Sequence, residues 1–138
     1  MIQLNPYITF DGQCRDAMTF YQECLGGKLE LMVIEESPMA DQFPPAMQKS
    51  ILHASLTKDA LIILGSDMVG TTGLVKGSNL TLSLTCSSEE EMNRIFSALS
   101  SEGKVHYPLK DFFAGRMGTL EDKFGIYWSV FFDNTGSR

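Results

Sequence analysis

Two stretches of the chain repeat their apolar residues at helical spacing, and most of what lies between them alternates. From Gln13 to Leu25, the residues Cys14, Ala17, Met18, Tyr21, Cys24 and Leu25 share one stripe. Arg15, Asp16, Thr19, Gln22 and Glu23 take the other side. This predicts a helix that stops at Gly26-Gly27, where a left-handed residue carries no Cβ penalty. From Glu89 to Glu102, Met92, Ile95, Phe96 and Leu99 form a second stripe. Ser88 with Glu91 makes a capping-box pattern, and Glu89, Glu90 and Glu91 suit the positive end of the helix dipole.

The remaining segments read as strands: 5–10, 28–36, 50–57 and 60–65, then 79–86, 104–108, 115–121 and 126–133. A Pro-containing loop, SPMADQFPP, interrupts the first set, and a glycine-rich stretch, GTTGLVKG, separates the sets. Each set has the order strand, helix, strand, strand, strand. The two helices start about 75 residues apart, a repeat in pattern and not in letters. The expected fold class is α+β, with paired βαβββ modules at about 4–66 and 78–133 joined by a Gly-rich linker.

Alternation assigns the faces, because successive strand residues point to opposite sides. Leu80, Leu82 and Leu84 are expected against the second helix, with Asn79, Thr81, Ser83 and Thr85 on the far side. Ile8 and Phe10 are expected inward, and Tyr7 and Thr9 outward. Leu52, Ala54 and Leu56 oppose His53 and Ser55, and Trp128, Val130 and Phe132 oppose Tyr127, Ser129 and Phe131. If the sheets curve, the second faces line a concavity of hydroxyls, amides, aromatic rings and one imidazole. Such a lining suits a small organic ligand better than a polyanion. The competing reading is a face that is merely solvated or buried in a dimer.

Composition narrows the classes. At 138 residues and 43% hydrophobic, the chain is of single-domain size. No apolar run approaches the roughly 18 residues of a membrane span, and MIQLNPYITF lacks the pattern of a signal peptide. The expected location is cytoplasmic, with no membrane partner. A net charge of −6 with scattered lysines lacks the footprint of nucleic-acid binding. Cys14, Cys24 and Cys86 have no CxxC spacing and are expected as reduced, buried thiols.

The opening PYITFDGQCRDAMTFYQECLGGKLE, the central ILHASL and the closing DFFAGRMGTLEDKFGIYW together resemble the PhnB-like family of the vicinal-oxygen-chelate superfamily, which includes glyoxalases, bleomycin-resistance proteins and extradiol dioxygenases. The resemblance spans essentially the whole chain. It implies a curved, incomplete barrel around a cleft, a homodimer, and functions ranging from metal-dependent enzymes to metal-free drug-binding proteins. An older family label names a demethylubiquinone methyltransferase. No glycine-rich nucleotide-binding turn follows a strand in this sequence to support that activity.

Catalytic members place metal ligands, histidine and glutamate, on the first and last strand of each half. The matching positions here fall near Asn5 or Tyr7, at Ile63, at Asn79 and at Ser129, none of them a good divalent ligand. The expectation is therefore no metal and no cofactor. The ligand contacts are expected at Tyr7, His53, Ser55, Asn79, Ser129 and Phe131, with Arg116 near the mouth as a partner for a carboxylate or phosphate. His53 beside Ser55 suits hydrogen bonding or proton transfer, with an ordinary structural histidine as the plainer reading. The leading expectation is a dimeric, metal-free small-molecule binder. The alternatives are a metal-dependent glyoxalase- or dioxygenase-type enzyme using His53, and a purely structural dimer module.

Overall fold

The strand–helix–strand–strand–strand order is present twice. The computed structural model describes residues 1–133. The chain runs β1 (Tyr7–Thr9), α1 (Cys14–Leu25), β2 (Lys28–Val33), β3 (Ile51–Lys58), β4 (Leu61–Ser66), β5 (Thr81–Cys86), α2 (Glu89–Ser100), β6 (Lys104–Phe112), β7 (Gly115–Glu121) and β8 (Tyr127–Asp133). Three 3-10 turns, Ile34–Glu36, Ala40–Gln42 and Pro45–Met47, occupy the segment between β2 and β3. The fold is α+β, with two open four-stranded sheets ordered β1-β4-β3-β2 and β5-β8-β7-β6. Contacts divide the chain into two compact units, the first ending at Val75 and the second beginning at Lys76. No helix among the described residues is long and apolar enough to cross a membrane.

In the first unit, β1 pairs with β4 in parallel, and the other pairings are antiparallel. The stripe read from the sequence packs α1 onto the sheet, burying Cys14, Ala17, Met18 and Tyr21 completely beside Ala54, Leu56 and Ile63. Gln13 offers no side-chain cap to α1. The buried carboxylate of Asp67 does so from 53 residues away. Its Oδ1 accepts the N–H of Cys14 at 3.0 Å, and its Oδ2 accepts the N–H of Ile51 at 3.0 Å. One side chain thus ties the start of the helix to the start of β3.

The second unit repeats the topology, with β5 parallel to β8. The capping box forms at Ser88, whose hydroxyl accepts the N–H of Glu91 at 3.1 Å, while Glu91 reaches back to the N–H of Ser87 at 2.9 Å. Met92 and Leu99 are wholly buried, each worth about 1.5–3 kcal/mol of apolar burial. The helix lies close to the sheet because Gly118 lets it. A Cβ there would come within 2.8 Å of the Phe96 ring and 2.9 Å of the Tyr107 carbonyl oxygen. Asp122, only 3% exposed, organises the turn between β7 and β8. Its Oδ1 accepts the N–H of Phe124 at 2.8 Å and of Ile126 at 3.1 Å, and its Oδ2 accepts the indole N–H of Trp128 at 2.8 Å.

Several boundaries differ from the sequence reading, each for a local reason. β5 starts at Thr81, so Leu80 is not on the helix-facing stripe but 74% exposed. A bulge at Met32/Val33 shifts the β2–β3 register, so Ile51 enters the core and Leu52 is only half-buried. β2 gives way to a 3-10 turn after Val33 instead of continuing to Glu36. β6 runs on to Phe112 in spite of Pro108 because it is the outermost strand of its sheet, where a missing N–H costs no ladder bond.

Replacing Asp122 with alanine removes the acceptor from three N–H donors at a buried turn. The expected cost is about 3–5 kcal/mol, read as a lowered urea midpoint with an unchanged slope.

Candidate functional site

Each sheet has one face covered by its helix and one open face, and the strand registers show what stands on the open faces. In the first unit, Tyr7, Leu64, Ser55 and Glu30 form one row across the sheet, followed by His53 beside Met32. Tyr7 is 51% exposed, and its phenol oxygen lies 3.4 Å from His53 Nδ1, at the outer limit of a hydrogen bond. The two rings are tilted by 43° with centroids 5.8 Å apart. The structure therefore brings Tyr7 and His53 together, with Ser55 on the same face.

The open face of the second unit has three rows. Thr85, Phe131, Met117 and Lys110 make the first, Ser83, Ser129 and Thr119 the second, and Thr81, Tyr127 and Glu121 the third. Along the strands the face grades from a largely apolar row with Lys110 at its edge, through hydroxyls, to an ionisable row. Phe112 extends the apolar end, its ring centroid 5.6 Å from that of Phe131. Beside it a groove of about 400 Å³ opens between β6 and β7, walled by Tyr107, Pro108, Phe112, Met117 and Thr119, with Lys110 and Asp111 at its side.

The ionisable end depends on an irregularity in β6. The register slips between Val105 and Tyr107, so His106 is the extra residue of a bulge. Its ring stacks at 5° on Tyr127, with centroids 5.4 Å apart, and its Nε2 lies 3.3 Å from the Glu121 carboxylate. Burial of the Tyr127 phenol, followed by the charge of Glu121 and a hydrogen bond to it, raises the Tyr127 pKa above its ordinary value. Strict alternation cannot place both His106 and Tyr107 on one face, and only the bulge does so.

Two further expected contacts are placed apart from these faces. Asn79 is exposed and precedes β5 by two residues, outside the ladder. Arg116 pairs in register with Phe132, which has the parity of Trp128 and Val130. Its guanidinium is therefore on the helix side of the sheet, where it donates to Asp111 at 2.9 Å. Ser129 and Phe131 stand on the open face, and Trp128 is core, 1% exposed.

The residues at the metal-ligand positions do not fit a divalent ion. Ile63 is 2% exposed on the helix side, and the fourth-strand residue on Tyr7's row is Leu64, which has no donor atom. Ser129 and Asn79 supply neutral oxygen only. Among the described residues, no three His, Cys, Asp or Glu side chains gather in a way that could hold a metal.

Residues 3–131 match the family model described as 3-demethylubiquinone-9 3-methyltransferase. The chain is 31% identical to Protein YjdN of Escherichia coli (strain K12), over 92% of either chain. The crystal structure of protein PA1353 from Pseudomonas aeruginosa is similar at a TM-score of 0.86 and 31% identity, over 96% of this chain and 98% of that one. The PhnB protein from Bacillus cereus shares the fold at a TM-score of 0.72 and 22% identity, covering 95% and 99%. So does a glyoxylase/bleomycin resistance protein/dioxygenase domain from Frankia sp. EAN1pec, at 0.61 and 16%, covering 99% and 93%.

Two outcomes follow for single side chains. The Tyr7–His53 contact is long and exposed, so His53→Ala is expected to cost less than about 1 kcal/mol in a urea melt. Burial pushes the Cys14 thiol from 9.0 up to about 12 and the Cys86 thiol up to about 11. Folded protein therefore holds these protons more tightly than unfolded chain, and stability is present in full below about pH 9 and falls as pH rises toward 11–12. Native protein should leave both thiols unmodified by a disulfide reagent at neutral pH, and unfolded protein should not.

Proposed function

The chain belongs to the family described as 3-demethylubiquinone-9 3-methyltransferase, the PhnB-like branch of the vicinal-oxygen-chelate superfamily, and on that footing we propose that it binds a small organic molecule without a metal. The observation that carries this reading is the groove of about 400 Å³ beside Phe112 and Met117. That volume lies within the range of small-molecule sites, roughly 300–1,000 Å³, and its walls are of the kind such sites use. Phe131 and Ser129, on the same face, supply an aromatic surface and a hydroxyl next to it. Tyr7, His53 and Ser55 offer a phenol, an imidazole and a hydroxyl on the open face of the first unit.

The residues argue for binding more than for metal chemistry. A vicinal-oxygen-chelate reaction polarises substrate oxygens on a divalent ion, and the positions that would hold the ion carry asparagine or tyrosine, isoleucine with leucine beside it, asparagine and serine. Methyl transfer has no more support. The stretch from Gly70 to Gly77 leads from β4 into β5, not into the N-terminus of a helix, so no strand–turn–helix cradle for a nucleotide arises there.

Ligand-observed NMR with a library of one- and two-ring fragments, in buffer containing EDTA, tests the reading. Fragments are expected to bind with metal chelated, and Phe112→Ala is expected to weaken the best of them about 10-fold, the equivalent of losing part of one aromatic contact. Binding that appears only when Zn, Mn, Fe, Co or Ni is added would overturn it, as would a library with no binders.

A further inference from the structure

We propose that the occupant of the groove between β6 and β7 is an organic anion, an aromatic or alkyl monocarboxylate in class, with its charge met by Lys110. This rests on the groove being a ligand site and adds which chemistry it selects. Lys110 pairs in register with Met117, directly across the groove, and lies on β6 between Tyr107 and Phe112. Its four-carbon stem belongs with those apolar walls, while its ammonium is free to turn toward a ligand's polar end.

The neighbouring charges are already committed elsewhere. Asp111 also borders the groove, but its carboxylate is taken up by its register partner Arg116 at 2.9 Å. Glu121 is two rows away along β7, held by His106 at 3.3 Å and facing Lys104 across the strands. Among the described residues Lys110 has no ion-pair partner. An apolar groove with one uncompensated cation at its side is complementary to an apolar body bearing one negative charge. The net charge of −6 repels anions at a distance, but salt screens that repulsion beyond about 8 Å, so the local ammonium decides the preference.

A matched set tests this: phenylbutanoate, phenylbutanol and phenylbutylamine share one apolar body and differ in charge. Titration calorimetry in EDTA near neutral pH should rank the acid tightest, about 2- to 5-fold over the alcohol, with the amine weakest. Lys110→Met keeps the stem and removes the charge, so acid and alcohol should then bind alike. Lys110→Glu should favour the amine. Raising salt from about 50 to 500 mM should narrow the wild-type gap. Lys110 is exposed on an edge strand, and circular dichroism and melting of both variants verify that they fold. If all three compounds bind wild type equally, or the acid's advantage survives in Lys110→Met, the assignment of Lys110 is wrong and the groove reading stands. If none of the three binds, the groove reading itself fails and takes this inference with it.

Discussion

A single carboxylate, Asp122, fixes the second unit. It holds two backbone N–H groups of the turn and the indole N–H of Trp128, so the position of the largest core side chain and the path of the chain between β7 and β8 are set together. A buried carboxylate is tolerable only with such full satisfaction, and here each oxygen is engaged. The register that follows places Phe131, Ser129 and Tyr127 on the open face and Val130 and Trp128 under α2. A slip of one residue would exchange the two sets. Asp67 has the same kind of task in the first unit, but spends its oxygens on joining α1 to β3.

Much of this organisation is legible in the sequence because it rests on period. The stripe of Met92, Ile95, Phe96 and Leu99 has only one use, and so has the alternation of Trp128 and Val130 with Ser129. What escaped detection depends on residues that break a period. His106 joins Glu121 and Tyr127 only because of an extra residue in β6. Arg116 falls behind the sheet because its parity is set by pairing with Phe132, which no count along β7 alone supplies. Leu80 looked like the first of three stripe leucines, but the strand had not yet begun. Nor could spacing show Asp67 capping a helix from so far along the chain, since Asp67 has no local pattern to mark it.

The two open faces differ in kind. The first carries a phenol and an imidazole in loose contact, both well exposed. The second is graded, with hydrocarbon and aromatic side chains bordered by Lys110 at one end, hydroxyls in the middle and a His–Glu–Tyr group at the other. An apolar body on such a strip would gain most at the Phe131–Met117 end, where Lys110 is the basic side chain of the row. The fold supplies the platform, and these side chains set its chemistry.

The irregular path of β6 has a second effect. An outermost strand beside an open apolar groove is the place where another chain would add itself, residue by residue, to a sheet. Here two register shifts interrupt the row of outward-facing amides and Pro108 removes one of them altogether. The strand that borders the groove is thereby a poor template for a strand of another protein. The unit can keep a greasy surface in a crowded solution without inviting aggregation along its edge.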